Sequence, residues 1–520
     1  MAAAVCLAAC TNDPMTSDDV TDVPPPAEET ADAVQPTLST AALGSFASSQ
    51  NRVVLAPQTR ATSGSLVEIA TIENLSKEAG KVPGFTVEPN GRYLSATCVY
   101  YDQTTGTYYA TYHMQGNNYN TQQEVETKGF IESFKIVDGE PVLENVYYSE
   151  GPDFDFNHLY FDDMTNNRWS NSNGPTSIIA VGHKSEPSSK EGGEPNTAAI
   201  IAKLDLDLGQ IQYSTVLTGD KLRDAAGRSL GDEDAGDVNC VIRKWDHFLL
   251  ATRKGLAVLN ATPDNLFVPA KADDKDVYFI KTPGSAKHIC HSPGATSNLA
   301  FLYLTQDTPK DFDATTAIPA NIVDFSFNSL DGSVNSRGVA AGNFRIGNVV
   351  DFDWSTLPQT EKCLVFPVDG KNVLTQEEER NYTTCACLGK GGLYVKSKNY
   401  DFPYEEVLTF SDVEEGSRPV NGVFFEPGES YNGRSATNGF IYVANGRCLT
   451  ILDAGTLETV ADYTIGLKDK AGNAIDASAN YVQVVQTGTS TNEGSPDRII
   501  TVAYGQAGVK VFKFVPPTKL

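Results

Sequence analysis

Residues 441–466 read IYVANGRCLTILDAGTLETVADYTIG. Three apolar runs, IYVA, LTIL and the alternating TVADYTI, are parted by tight polar turns, NGR and DAGTLE. Short apolar runs punctuated by Asn, Gly and Asp read as β-strands of a meander. A lone meander buries too little surface to hold itself together. The stretch therefore makes sense as one unit of a series, and the rest of the chain supplies that series.

From about residue 60 onward, runs rich in Val, Ile, Leu, Tyr and Phe alternate with Gly, Asn, Asp and Pro turns. The best helical pattern, around LTQEEERNY, is short and polar, so the body is all-β. The runs fall into groups of three or four. YLSATCVYY, TYYATYHM, FIESFKIV and VLENVYY form one, and HLYFDD, TSIIAVGH, AAIIAKLDL and IQYSTVL the next. VNCVIRKW, HFLLATR, LAVLNA and VYFIKT follow, then HICHSPG, LAFLYLTQ and IVDFSFN. A less regular group includes NVVDFDW and KCLVFPVD, and another holds TTCACLG, GLYVKSK and VLTFSD. VNGVFFEPG precedes the opening stretch in its own group, and YVQVVQT, RIITVAYG and VKVFKF end the chain.

Units of this kind repeating every roughly 45–70 residues predict a single β-propeller over residues 51–520, each blade burying its faces against the next. The count is seven four-stranded blades, or six or eight if a group is merged or split. The last group offers three strands, so a strand from the amino-terminal side, RVVLA (52–56) or LVEIATI (66–72), is expected to complete it and close the ring. The competing architecture is a pair of β-sandwiches, but nothing like a linker divides residues 60–520.

A resemblance supports the same architecture. Ile441, Tyr442, Val443, Asn445, Ile451, Asp453, Thr456, Val460, Ile465 and Gly466 follow the pattern of the YVTN-type propeller repeat, which this stretch resembles. ITVAYGQAGVKVFKF (500–514) is similar to an LVIVD-type blade, and LLATRKGLAVLNATPDNLF (249–267) is a weaker echo. The remaining groups match by period alone. The resemblance implies architecture rather than an activity.

The amino terminus carries a second resemblance. Leu7-Ala8-Ala9-Cys10 closes a small apolar run and resembles the lipobox of bacterial lipoproteins. The run is short and no Lys or Arg precedes it. The resemblance implies a signal remnant over residues 1–10 and lipidation of Cys10. Residues 11–50 are rich in Pro, Thr, Ser, Asp and Glu, too poor in large apolar groups to order themselves, and read as a tether. Ser17-Asp18-Asp19 looks like the export signal of Bacteroidetes surface lipoproteins, or is an ordinary acidic linker. An outer-membrane location, surface-exposed or facing the periplasm, would follow, with the lipid as the sole membrane contact.

Acidic residues outnumber Lys and Arg, 66 to 40, a net charge of −26 that repels phosphate backbones and argues against nucleic acid. About 40% of the chain is apolar, enough for a sizeable core. Beyond Cys6 and Cys10, seven cysteines are widely scattered, and most sit within strand-like runs, as expected of free buried thiols.

Chemistry-bearing motifs are sparse. His288 and His291 frame Cys290 in AKHICHSPG, but three residues apart on a strand puts their rings on opposite faces, which does not suit a metal. The segment reads as a loop near the ring's axis. His113, His158, His183 and His247 stand isolated. Cys385 and Cys387 share a strand face and read as packing. Asp153 and Asp155, Asp205 and Asp207, and Asp351 and Asp353 alternate in the same way without completing a calcium loop. No Asp-box, nucleophile elbow, P-loop or dinucleotide fingerprint occurs. Two polar loops rich in aromatics, MQGNNYNTQQE and DDMTNNRWSNSNGP, suit contacts with sugars or proteins and offer Asn118, Tyr119, Asn167, Arg168 and Trp169, beside His288 and His291, as ligand-binding candidates. The expectation is a binding head for a protein or glycan at the cell envelope, without catalysis, cofactor or metal. The alternative is a polysaccharide hydrolase or lyase with acids gathered at the channel.

Overall fold

The computed structural model describes strands and tight turns between residues 50 and 517; residues 1–49, 518–520 and most longer connections lie outside the described residues. Two strands come first, β1 (Gln50–Val54) and β2 (Ser65–Ile72). Blade 1 follows as β3 (Arg92–Asp102), β4 (Thr107–Gly116), β5 (Phe130–Val137) and β6 (Glu140–Tyr148). Blade 2 is β7 (Phe154–Asp162), β8 (Ser177–Glu186), β9 (Asn196–Asp205) and β10 (Gln210–Leu217). Blade 3 is β11 (Val238–Lys244), β12 (His247–Thr252), β13 (Gly255–Asn260) and, beyond the hairpin of β14 (Lys271–Ala272) and β15 (Lys275–Asp276), β16 (Phe279–Lys281).

Blade 4 is β17 (Ser285–His291), β18 (Leu299–Thr305), β19 (Ile318–Phe327) and β20 (Phe344–Ile346), with β21 (Gln359–Thr360) also on β19. Blade 5 is β22 (Thr383–Cys387), β23 (Leu393–Ser397) and β24 (Tyr404–Asp412), with β25 (Gly416–Arg418) on its edge. Blade 6 is β26 (Val420–Tyr431), β27 (Arg434–Asn445), β28 (Cys448–Asp453) and β29 (Thr459–Thr464), so the opening stretch supplies its second, third and fourth strands. Blade 7 contributes β30 (Ala477–Gln486), β31 (Arg498–Gly505) and β32 (Val509–Val515) from its own segment. The described strands thus form one propeller, in which the first and last units share an eight-stranded sheet through the pairing of Ala96 on β3 with Gly505 on β31, and no helix occurs among the described residues. The irregular group at NVVDFDW and KCLVFPVD lies outside the described residues.

The missing fourth strand of blade 7 is β2, antiparallel to β32 from Ser65 opposite Val515 to Ile72 opposite Val509. This is the ring closure expected from the sequence, made by residues 66–72. The other candidate run joins a different blade. β1 lies parallel to β24, from Gln50 opposite Glu406 to Val54 opposite Phe410. Between them, the Gly64 amide donates to the Val460 carbonyl of β29 at 2.9 Å. The amino-terminal segment therefore straps blades 5, 6 and 7 in succession. Gly64 has no room for a side chain, which would run into the Phe514 ring.

The closing strand is fastened by more than its ladder. Lys510 Nζ donates to Glu68 Oε1 at 2.9 Å and to Thr71 Oγ1 at 2.6 Å, and Tyr463 of blade 6 donates to Glu68 Oε2. Burial raises the Glu68 pKa, but hydrogen bonds from Thr71, Tyr463 and Lys510 and the Lys510 charge outweigh it and leave the carboxyl below its ordinary value.

The cores lie between blades rather than within them. Tyr442, Ile451, Ile500, Phe512 and Phe514 join blades 6 and 7, and Ile72, Val99, Tyr112, Phe134 and Val511 join blades 7 and 1. Cys98, Ile131, Phe156, Ile178 and Ile200 join blades 1 and 2, Val181, Val241 and Leu250 join blades 2 and 3, and Cys387, Leu408, Val423 and Ile441 join blades 5 and 6. Each face is apolar because each is covered by the next sheet. This chain of shared cores excludes two independent sandwiches. Cys98, Cys240, Cys385, Cys387 and Cys448 are buried thiols outside any disulfide, as their strand positions led us to expect.

Polar side chains close the tight turns. In DAGTLE, Asp453 Oδ1 accepts from the amides of Gly455 at 2.8 Å and Thr456 at 2.9 Å, while Leu457 sits at φ +59°. Asp205 plays the same part for Asp207 and Leu208, which assigns that acidic pair, in part, to turn formation.

Candidate functional site

The innermost strands stand side by side in the order β22, β26, β30, β3, β7, β11, β17. Most carry a β-bulge at a matching place: between Ala96 and Cys98, Phe156 and His158, Val238 and Cys240, Ala286 and His288, Val420 and Gly422, and Ala477 and Tyr481. A bulge re-aims side chains that a regular strand would send to alternate faces. Here it sends one residue sideways to the next blade and the following residue toward the axis.

The sideways residues form a belt. Thr97 Oγ1 donates to the Phe156 carbonyl at 2.9 Å, Asn157 Nδ2 to Val238 at 3.0 Å, and Asn239 Nδ2 to Ala286 at 2.7 Å. Asn421 Nδ2 donates to the Ala479 carbonyl at 3.0 Å, and Asn480 Nδ2 to Ala96 at 3.2 Å, carrying the belt from blade 6 through blade 7 to blade 1. Each bond crosses from one blade to the residue just before the next blade's belt residue. Asn480→Ala is expected to lower the unfolding free energy by about 1–3 kcal/mol, because it strips a buried carbonyl of its cross-blade donor. Urea unfolding followed by tyrosine fluorescence measures this.

The axial residues are Cys98, His158, Cys240, His288 and Tyr481, from five different blades. The His158 and His288 rings meet edge to face at 6.1 Å between centroids, although their blades are not neighbours. Tyr481, from the far side of blade 1, sits 6.0 Å from His158 in a T-shaped contact. Cys240 Sγ lies 4.0 Å from His288 Nε2. Contacts between non-adjacent blades are possible only across the axis, so these side chains fill it. Gly422 is the matching residue of blade 6, where a side chain would meet the Asn480 carbonyl at 2.9 Å.

Enclosure by protein dictates the chemistry. The rings of His158 and His288 keep some accessible surface but have protein on every side, as a group facing a narrow axis must. Desolvation lowers the His158 pKa to about 4. Desolvation and the neighbouring His158 lower that of His288 to about 3. Burial raises the Cys98 thiol to about 12. Tyr481 is pushed well above its ordinary value by burial, then by Cys98 and Cys240. At neutral pH the cluster holds uncharged imidazole, phenol and a protonated Cys98 thiol. Among the described residues no group of three His, Cys, Asp or Glu could hold a metal ion.

His288 thus lies at the axis, though on strand β17 rather than in the loop expected for AKHICHSPG. His158, isolated in the sequence, is brought against it. The side chain of His291 lies outside the described residues, as do Asn118, Tyr119, Asn167, Arg168, Trp169 and Cys10. The strand ends that flank the two polar loops, Gly116 and Phe130 on one side and Asp162 and Ser177 on the other, lie at opposite rims of the wheel. The sequence does carry a mark of the axial cluster. Ala-Thr-Cys-Val at 96–99 recurs as Phe-Asn-His-Leu, Val-Asn-Cys-Val, Ala-Lys-His-Ile, Val-Asn-Gly-Val and Ala-Asn-Tyr-Val at the start of later blades.

No family model matches the chain, and no curated protein does. Among solved structures, the Pan2 WD40 domain of Neurospora crassa is 10% identical, with 89% of this chain and 99% of that one covered at a TM-score of 0.41. Hsv2 of Kluyveromyces lactis is 8% identical, with 79% and 90% covered and a TM-score of 0.34. The extracellular domain of a proposed one-component system from B. thetaiotaomicron is 8% identical, with 87% and 44% covered and a TM-score of 0.37. At these TM-scores the likenesses carry no weight, and the propeller assignment rests on the strand pairing.

Proposed function

We propose that the chain is a cell-envelope lipoprotein whose propeller head binds a protein or glycan partner without catalysing a reaction. The observation that carries this reading is the filled axis. Imidazoles too desolvated to accept a proton at neutral pH, beside a thiol too desolvated to lose one, make a poor catalytic centre and a good structural hub. Recognition is left to loops on the two rims, displayed by a rigid scaffold. Asn118 and Tyr119 would serve one rim, and Asn167, Arg168 and Trp169 the other. Cys10 would carry the lipid, residues 11–50 would space the head from the outer membrane, and the head would face the surface or the periplasm.

The full chain with Cys10→Ser, and so without lipid, serves as bait for envelope extract and for a glycan array. Retention of a partner that falls at least about tenfold with Tyr119→Ala or Trp169→Ala, a loss of about 1.4 kcal/mol, is the expected result. A bait that retains nothing but degrades an envelope polysaccharide would replace this reading with a hydrolase or lyase. For the anchor, the wild-type protein is expected to carry lipid on a new amino-terminal Cys10 by mass spectrometry.

A further inference from the structure

The axial imidazoles have a role that binding at the rims does not use. His158 and His288 lie on blades 2 and 4 and meet across the axis. The Nδ1 of His158 is buried without a hydrogen-bond partner, so no acceptor holds a proton there in the folded chain. Among the described side chains, the titratable groups that face the pair are Cys98 and Tyr100 on β3, Cys240 on β11 and Tyr481 on β30, while the buried Arg243 of β11 lies over the Phe248 ring instead. None of the four is a carboxylate. Lys287 flanks His288 along β17, and its side chain lies outside the described residues. The inner strands have no slack here, since the belt bonds at Asn157 and Asn239 sit one residue before His158 and Cys240.

We propose that His158 and His288 form an acid-sensitive lock, which holds the inner strands together while both rings are neutral and loosens the wheel when they take up protons. Two like charges facing each other in an enclosed axis, with no carboxylate among the described neighbours to balance them, repel and demand water.

The sign follows from linkage. In the unfolded chain each ring titrates near 6.5, whereas in the wheel the values are about 4 and about 3. The unfolded or opened state therefore binds more protons below pH 6.5. Stability is full above that pH and falls as the pH drops toward 4. With two protons taken up on opening, the folding equilibrium falls about 100-fold per pH unit through this window. Glu68 acts separately. Its contribution is held until the pH falls below the ordinary carboxylate value of 4.5.

The test compares urea unfolding of the full chain between pH 7.5 and 4.5 with that of His158→Gln, His288→Gln and the double variant. The wild type is expected to lose stability more steeply than the double variant by about 100-fold per pH unit, and than each single variant by about tenfold. The same pH dependence in wild type and double variant would overturn the proposal. If the variants do not fold, histidine ring resonances of the wild type decide. Two rings that stay neutral down to about pH 5 support the lock, and six rings that all titrate near their ordinary value overturn it.

Discussion

A chain cut back to begin at residue 74 is expected not to form a stable wheel. The cut removes β2, whose Ile72 is fully buried and whose Ala70 is nearly so, and bares the edge of β32. Burial of one such aliphatic side chain is worth about 1.5–3 kcal/mol. Lys510, 6% exposed, also loses Glu68 and Thr71 together, and a hydrogen bond to a charged group is worth about 1.5–3 kcal/mol. The sum is about 3–6 kcal/mol, which rivals the whole stability of a marginal domain. Size-exclusion chromatography and thermal unfolding should show aggregation or loss of the cooperative transition. A synthetic peptide spanning residues 60–75 should restore it in part. A truncated chain that melts like the full one would mean that β2 is not the closing strand.

Glu426→Ala should destabilise the folded protein by about 3–5 kcal/mol. Glu426, on β26, accepts from Arg498 Nε at 3.0 and 3.1 Å, from Tyr442 at 2.6 Å and from Gln486 at 2.8 Å. Arg498, on β31, is completely buried and lies over the Phe440 ring at 5.4 Å. The pair pins blade 6 to blade 7 at a guanidinium with no exposed surface, so removing the carboxylate leaves that ion with only Ser495 and the Pro496 carbonyl as acceptors. Replacing both partners with apolar residues, Glu426→Leu with Arg498→Met, should recover most of the loss, because desolvation of the pair offsets its attraction. Chemical denaturation of the three variants measures this. If the double variant is no better than Glu426→Ala, packing rather than the stranded charge dominates.

The sequence made the blades readable because strand alternation and turn chemistry are local. Each group from YLSATCVYY to VKVFKF within the described residues became one run of paired strands, the first and last joined through Ala96 and Gly505, and the one strand missing from the last group pointed to the closing strand. The double use of the amino terminus was less accessible. RVVLA and LVEIATI are equally good strands, and only the register of β32 and β24 separates their places. The axial cluster was hidden for a different reason. Its members are single residues from separate blades, and sequence distance says nothing about which blades face one another across a ring. His158 looked isolated for that reason, and the recurring Asn-His, Asn-Cys and Asn-Tyr pairs were the local trace of a long-range contact.

The amino-terminal strap also decides how the molecule bears a load. A pull on the chain ahead of Gln50 reaches blade 5 first, along the parallel pairing of β1 with β24. Such a pull acts lengthwise on the strand, so the hydrogen bonds between β1 and β24 are sheared together rather than unzipped one by one. Should they give way, the next described attachment is the Gly64 amide on Val460, and β2 with the closure itself lies beyond it. The outermost pairing is thus the first to bear tension, and the closure of the wheel lies behind it.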